Sequence, residues 1–170
     1  MELNKYENYP FWIIALSNML SISIYAIGAY IIYQAGIIWL VLYLLYILFL
    51  EIKLLIHCAN CFYYGKYCSF GRGKLSGLFF KKGAANKFCQ KQMTWKDMIP
   101  DLLLSLIPMV LGIIFLIMDF NWLLLSSVAA IFLLSSVGNG FIRGSFACKY
   151  CNQQELGCPA DKLFNNNKAK

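Results

Sequence analysis

The chain has 170 residues, of which 60% are hydrophobic and 14% charged, with 15 lysines and arginines against 8 acidic residues. Its length would suit one soluble domain, but a mean hydropathy of +0.60 excludes an ordinary one. The net charge of +7 invites a nucleic-acid reading, which the placement of the basic residues makes unnecessary.

The first element is Phe11 to Tyr33, which contains no charged residue. A hydrocarbon core of about 30 Å needs roughly 20 helical residues, so this stretch is long enough to span. The residues before it are weakly acidic, with Glu2 and Glu7 against Lys5, and no small-residue cleavage pattern follows. It therefore reads as a mature span and not a cleaved leader. Residues 36–57 form a second span, apolar until Glu51 and Lys53. Residues 58–68 follow as an arm with Cys58, Cys61 and Cys68 in the pattern C-x2-C-x6-C. Segment 71–88 is basic and apolar together. Its Leu75, Leu78 and Phe79 share one helical face with Lys74, Lys81 and Lys82 at the edges, which predicts a helix along an anionic inner leaflet. The glycines here do not make a P-loop, because Leu75 follows Lys74 and the glycine spacing is wrong. Residues 101–119 and 121–143 are the third and fourth spans. Residues 148–158 repeat the cysteine ruler at Cys148, Cys151 and Cys158, and a polar tail ends the chain. Lipid cannot satisfy backbone polar groups, so each span should be a helix and the fold class all-α, an integral membrane protein with four transmembrane helices.

Orientation follows from charge. All lysines and arginines lie in the amino-terminal tail, the segment around 58–100, the carboxy-terminal tail, or the last turns of spans two and four. None lies in the connections near Gln34 and Phe120. The positive-inside rule then places both termini and both cysteine arms in the cytoplasm.

A shift of 90 residues superimposes Cys58, Cys61 and Cys68 on Cys148, Cys151 and Cys158 without a gap, and Pro10 on Pro100. The chain thus reads as two tandem repeats, 1–90 and 91–170, each a helical hairpin followed by a cysteine arm. Two spans per unit give both copies the same orientation, so a pseudo-twofold axis along the membrane normal should bring the arms together. Six thiols on a reducing face suit soft metals better than disulfides. Cys58, Cys61, Cys68, Cys148, Cys151 and Cys158 are the candidate ligands.

The doubled C-x2-C-x6-C pattern resembles the two halves of the zinc binuclear cluster of fungal transcription regulators. The resemblance covers only these two segments, roughly 22 residues, with 79 residues between the halves in place of a short loop. It implies that Cys58 and Cys148 bridge two zinc ions while Cys61, Cys68, Cys151 and Cys158 complete the coordination. The family's DNA recognition is not implied, and no nucleic-acid partner is expected. One four-cysteine zinc site or an iron–sulfur cluster are the other metal arrangements. Dithiol–disulfide exchange at the CxxC pairs is a redox alternative, and soft-metal transport a third. The latter lacks a cysteine in the first span.

Among other polar residues, Glu51 is costly at its depth and suggests either an ion pair with Lys53, Lys66 or Arg143, or a proton relay. His57 precedes Cys58, but its repeat partner is Ala147, so a structural role is preferred. Cys89 has no repeat partner and reads as a bystander. Asn18, Asn139 and the stretch SSVGNG should serve helix packing and interhelical hydrogen bonds, with Gly138 and Gly140 allowing close approach. No Ser–His–acid set, carboxylate pair or nucleotide loop supports an enzyme. The expected role is a zinc-bearing membrane module, with one or two ions shared by the repeats, that is structural or docks an unidentified protein.

Overall fold

Four helices are long and apolar enough to cross a membrane: Phe11–Tyr33, Ile37–Cys58, Ile99–Met118 and Trp122–Cys148. The computed structural model describes residues 5–83 and 95–154; the side chains of 95–98 and 154 fall outside that description. In chain order the elements are α1 (Phe11–Tyr33), α2 (Ile37–Cys58), α3 (Arg72–Phe79), α4 (Trp95–Met118) and α5 (Trp122–Cys148). A short 3-10 turn, Asn152–Gln154, closes the described chain. No strand occurs among the described residues, and Tyr6 with Cys151 forms one isolated parallel bridge. The described residues are all-helical, as expected from hydropathy, with four helices long and apolar enough to span a membrane.

The turns follow from local chemistry. After α1, the amides of Gln34, Ala35 and Gly36 each bond to the carbonyl three residues back, at 3.0–3.2 Å. Gly36 then takes φ +121°, and α2 begins at once. Asn121 caps α5 by accepting from the Leu123 amide at 2.9 Å.

The third long helix contains two prolines. Pro100 was expected to precede the third span, yet α4 begins at Trp95 and holds both Pro100 and Pro108 inside it. A proline in a helix frees the carbonyl four residues earlier, which lipid cannot satisfy. For Pro108 that carbonyl belongs to Leu104, and the Tyr43 hydroxyl donates to it at 3.0 Å. The Tyr46 hydroxyl donates to the Pro100 carbonyl at 2.7 Å. Gly28 leaves room for the first of these, since a Cβ there would lie 2.2 Å from the Tyr43 oxygen.

The fourth helix also runs past 143 to Cys148, through two π-helical stretches, Leu134–Gly138 and Arg143–Cys148. Ser135 and Ser136 of the SSVGNG stretch donate to the Phe132 carbonyl of their own helix, so these two hydroxyls bond within a helix and not between helices. A Cβ on Gly138 would meet Leu20 at 3.1 Å, whereas one on Gly140 would meet nothing within 4 Å among the described residues. Only the first glycine allows a close approach.

The chain divides into two compact units. The helical unit, Asn18–Glu51 with Lys96–Phe141, has two apolar clusters. One gathers Ile24, Ile31, Leu124, Val128 and Ile131; the other gathers Ile32, Tyr43, Leu50 and Leu104. Within it the Tyr25 hydroxyl donates to Glu51 Oε1 at 2.8 Å, so a tyrosine holds this carboxylate. The cysteine unit comprises Met1–Ser17, Ile52–Trp95 and Ile142–Lys170.

Candidate thiol site

Each cysteine arm starts on the last residue of a spanning helix, Cys58 on α2 and Cys148 on α5. The chain then turns the same way in both. The Cys61 amide bonds to the Cys58 carbonyl at 3.1 Å, and the Cys151 amide to the Cys148 carbonyl at 3.2 Å.

The arms meet through reciprocal hydrogen bonds. The Phe62 amide donates to Gln153 Oε1 at 2.8 Å, and the Asn152 amide donates to the Tyr63 hydroxyl at 3.1 Å. Under the 90-residue shift Phe62 pairs with Asn152 and Tyr63 with Gln153. The two bonds are therefore the same bond made in opposite directions. Tyr63 and Gln153 are both only 2% exposed, so each donor and acceptor is satisfied where an unmade bond would be costly.

The amino-terminal segment ties the arms to each other. The Tyr6 amide bonds to the Tyr150 carbonyl at 3.2 Å, and the Tyr6 carbonyl accepts from Tyr63 Oη at 2.7 Å and Asn152 Nδ2 at 2.9 Å. The Tyr9 amide bonds to the Tyr67 carbonyl at 2.9 Å, and the buried Tyr9 hydroxyl donates to the Ala147 carbonyl. Rings run Tyr150, Tyr6, Tyr9, Tyr63, Phe62 with successive centroids 5.2–5.5 Å apart. Tyr9, Ile13 and Tyr63 form the buried core, with Cys61, Cys68 and Cys151 packed against it.

Burial raises the phenol pKa of Tyr9 far above its ordinary value, and negative charge at Cys151, Tyr63 and Cys148 adds to this. Tyr63 is pushed up to about 12, by burial first and then by Cys151 and Cys61. Hydrogen bonds from Asn152 and Tyr9 act in the opposite sense. Cysteines from both arms thus surround one pair of tyrosines. Cys61 Sγ donates to Gln153 Oε1 at 3.6 Å, and Cys68 Sγ accepts from the Gly73 amide at 3.3 Å. Among the described residues, no three His, Cys, Asp or Glu side chains are grouped closely enough to hold a metal ion. The five described cysteines, Cys58, Cys61, Cys68, Cys148 and Cys151, are thiols outside any disulfide. Cys89 and Cys158 lie outside the described residues.

The segment after the first arm folds back as α3. Its glycines serve packing: a Cβ on Gly73 would stand 2.2 Å from the Tyr63 carbonyl oxygen. Gly71, at the helix start, takes φ +71°. The Gly65 amide bonds to the Gly73 carbonyl at 2.9 Å, and the Gly83 amide to the Ala59 carbonyl at 3.0 Å.

Beyond the cysteines, Tyr6, Tyr9, Tyr63, Gly73, Asn152 and Gln153 build this site. A signal for two of them was present, since Tyr63 and Gln153 each stand two positions after the second cysteine of their arm. Comparison with known proteins finds no matching family model, curated protein or solved structure.

Proposed function

We propose that this is a membrane protein whose two cysteine arms form one thiolate site for a soft metal, zinc first, shared by two pseudo-twofold-related repeats on the cytoplasmic side. The observation that carries it is the reciprocal pair of hydrogen bonds between the arms, at 2.8 and 3.1 Å. Such reciprocity is what a twofold relation between the arms requires, and the matching turns at Cys58–Cys61 and Cys148–Cys151 agree with it. The donor set suits the metal, because thiolates favour zinc, copper(I) and iron–sulfur iron. Binding in this reading must draw the thiols closer together, with Cys58, Cys61, Cys68, Cys148 and Cys151 as donors and Cys158 as the sixth. Cys61 must give up its proton and its bond to Gln153. Metal affinity should accordingly fall as pH drops. The role is structural or docking: the metal would lock the arms and present their surface to a protein partner.

A second reading, dithiol–disulfide exchange, is supported by the two CxxC turns, whose cysteines lie outside any disulfide. One experiment separates the two. Protein purified anaerobically should carry one or two zinc ions per chain, and Cys61→Ser or Cys151→Ser should each lower that content by half or more. Stoichiometric metal that survives both changes would place it elsewhere. Absence of metal, with reversible loss of two thiols on oxidation, would establish the dithiol reading instead. A brown protein with bound iron would assign an iron–sulfur centre.

A further inference from the structure

The cysteine unit exposes an apolar ridge on α3. Leu75 is 47% exposed, Leu78 72% and Phe79 73%, whereas Gly73 and Ser76 on the opposite side are buried. What the buried side touches determines the depth of the helix. The Ser76 hydroxyl donates to the Leu55 carbonyl at 2.9 Å. Leu55 lies three residues before the end of α2, less than one turn. At the other end, a Cβ on Gly71 would meet Ile14 in the first turn of α1 at 3.3 Å. The helix α3 therefore lies against the ends of α1 and α2, and the ends of helices that span lipid lie where hydrocarbon meets headgroups.

Charge identifies the occupant of that surface. Arg72 stands over the Phe70 ring at 5.1 Å and Arg143, from the end of α5, over the same ring at 5.6 Å. Two guanidinium groups from segments 71 positions apart share one aromatic platform. Lys74 stands over Tyr67 at 5.8 Å, and Lys81 and Lys82 are exposed just beyond the helix. Cations at headgroup depth beside an immersed apolar ridge complement an anionic lipid surface.

We infer that α3 is an in-plane anchor that inserts Leu75, Leu78 and Phe79 into the bilayer, and that Arg72 and Arg143 beside Phe70 hold the phosphate of an anionic phospholipid. Arginine suits this because its planar fork matches phosphate oxygens and stacks on rings. The inference does not depend on the metal reading.

The test reconstitutes the full chain in bilayers of phosphatidylcholine with or without phosphatidylglycerol. In a Phe79→Trp variant, with the native tryptophan signal subtracted, brominated acyl chains should quench the new fluorescence and aqueous iodide should not. Quenching by iodide would overturn the inserted helix. Protection from both quenchers, as a second copy or another protein would give, would overturn it equally. The combined Arg72→Gln and Arg143→Gln change should lower the phosphatidylglycerol retained through purification by about tenfold or more, at about 1 kcal/mol per basic residue. Quenching of Phe79→Trp should persist in that background. Unchanged lipid retention would overturn the headgroup assignment. Displacement of the lipid by inorganic phosphate alone would do the same, since it would mark a site for soluble anions.

Discussion

Replacing Gly73 by alanine probes the contact on which the first cysteine arm rests. The added methyl would lie 2.2 Å from the Tyr63 carbonyl oxygen and 2.7 Å from that of Lys66. An ordinary carbon–oxygen contact is about 3.3 Å or longer, so the backbone must move by about 1 Å. Both neighbours are main-chain atoms, and no side-chain rotation relieves the clash. The movement strains the Gly65–Gly73 hydrogen bond of 2.9 Å and the Gly73 amide bond to Cys68 Sγ of 3.3 Å. Overpacking costs about 1–3 kcal/mol, and a lost hydrogen bond about 1 kcal/mol. Alanine's better helix propensity returns about 1 kcal/mol. The net of about 2 kcal/mol corresponds to roughly a 30-fold rise in the open population of the arm. Alkylation of Cys68 in detergent, mapped by mass spectrometry, should accelerate by that factor while helix content by circular dichroism stays constant. Gly140→Ala, with no neighbour within 4 Å among the described residues, serves as control and should leave the rate unchanged. If Gly73→Ala reacts at the wild-type rate, the packing of α3 against the arm is refuted.

Tyr63→Phe leaves the Asn152 amide and the Tyr6 carbonyl without the hydroxyl that both use, so the unit should lose about 2–3 kcal/mol; protease cleavage between the arms should rise while the spans stay intact. The Tyr63 pKa is raised from 10.0 to about 12, which means that the folded state favours the protonated phenol. Its contribution to stability is then full below pH 10 and lost as pH climbs towards 12, and tyrosinate absorbance should appear together with loss of protease resistance. Early, independent ionisation of Tyr63 would contradict its burial. A thiol reagent that cannot cross membranes should miss Cys58 and Cys148 in intact cells, as the one-sided basic residues require; labelling from outside would reverse the orientation.

Hydropathy and length placed the spans to within a few residues, because insertion into lipid depends on local composition and a helix satisfies its own backbone. The amphipathic segment around Leu75, Leu78 and Phe79 was legible for the same reason, since its periodicity is contained within eight residues. The cysteine register was legible as a pattern, and the mutual docking of the arms was expected from the shift of 90. What the arms dock through was not. Tyr63 and Gln153 are unlike side chains, and only the folded chain places each opposite the other's neighbouring amide. Tyr9 belongs to the site because residues 138 positions away supply its acceptor, the Ala147 carbonyl. The prolines teach the same lesson. Local rules place Pro100 outside a helix, yet α4 runs through both prolines, and a Tyr43 hydroxyl from α2 meets the Leu104 carbonyl that Pro108 leaves without its amide. Local sequence determined which segments form helices long and apolar enough to cross lipid. Tertiary structure decided which polar groups meet, because a hydrogen bond between distant residues depends on where both chains arrive and leaves no periodic trace in either.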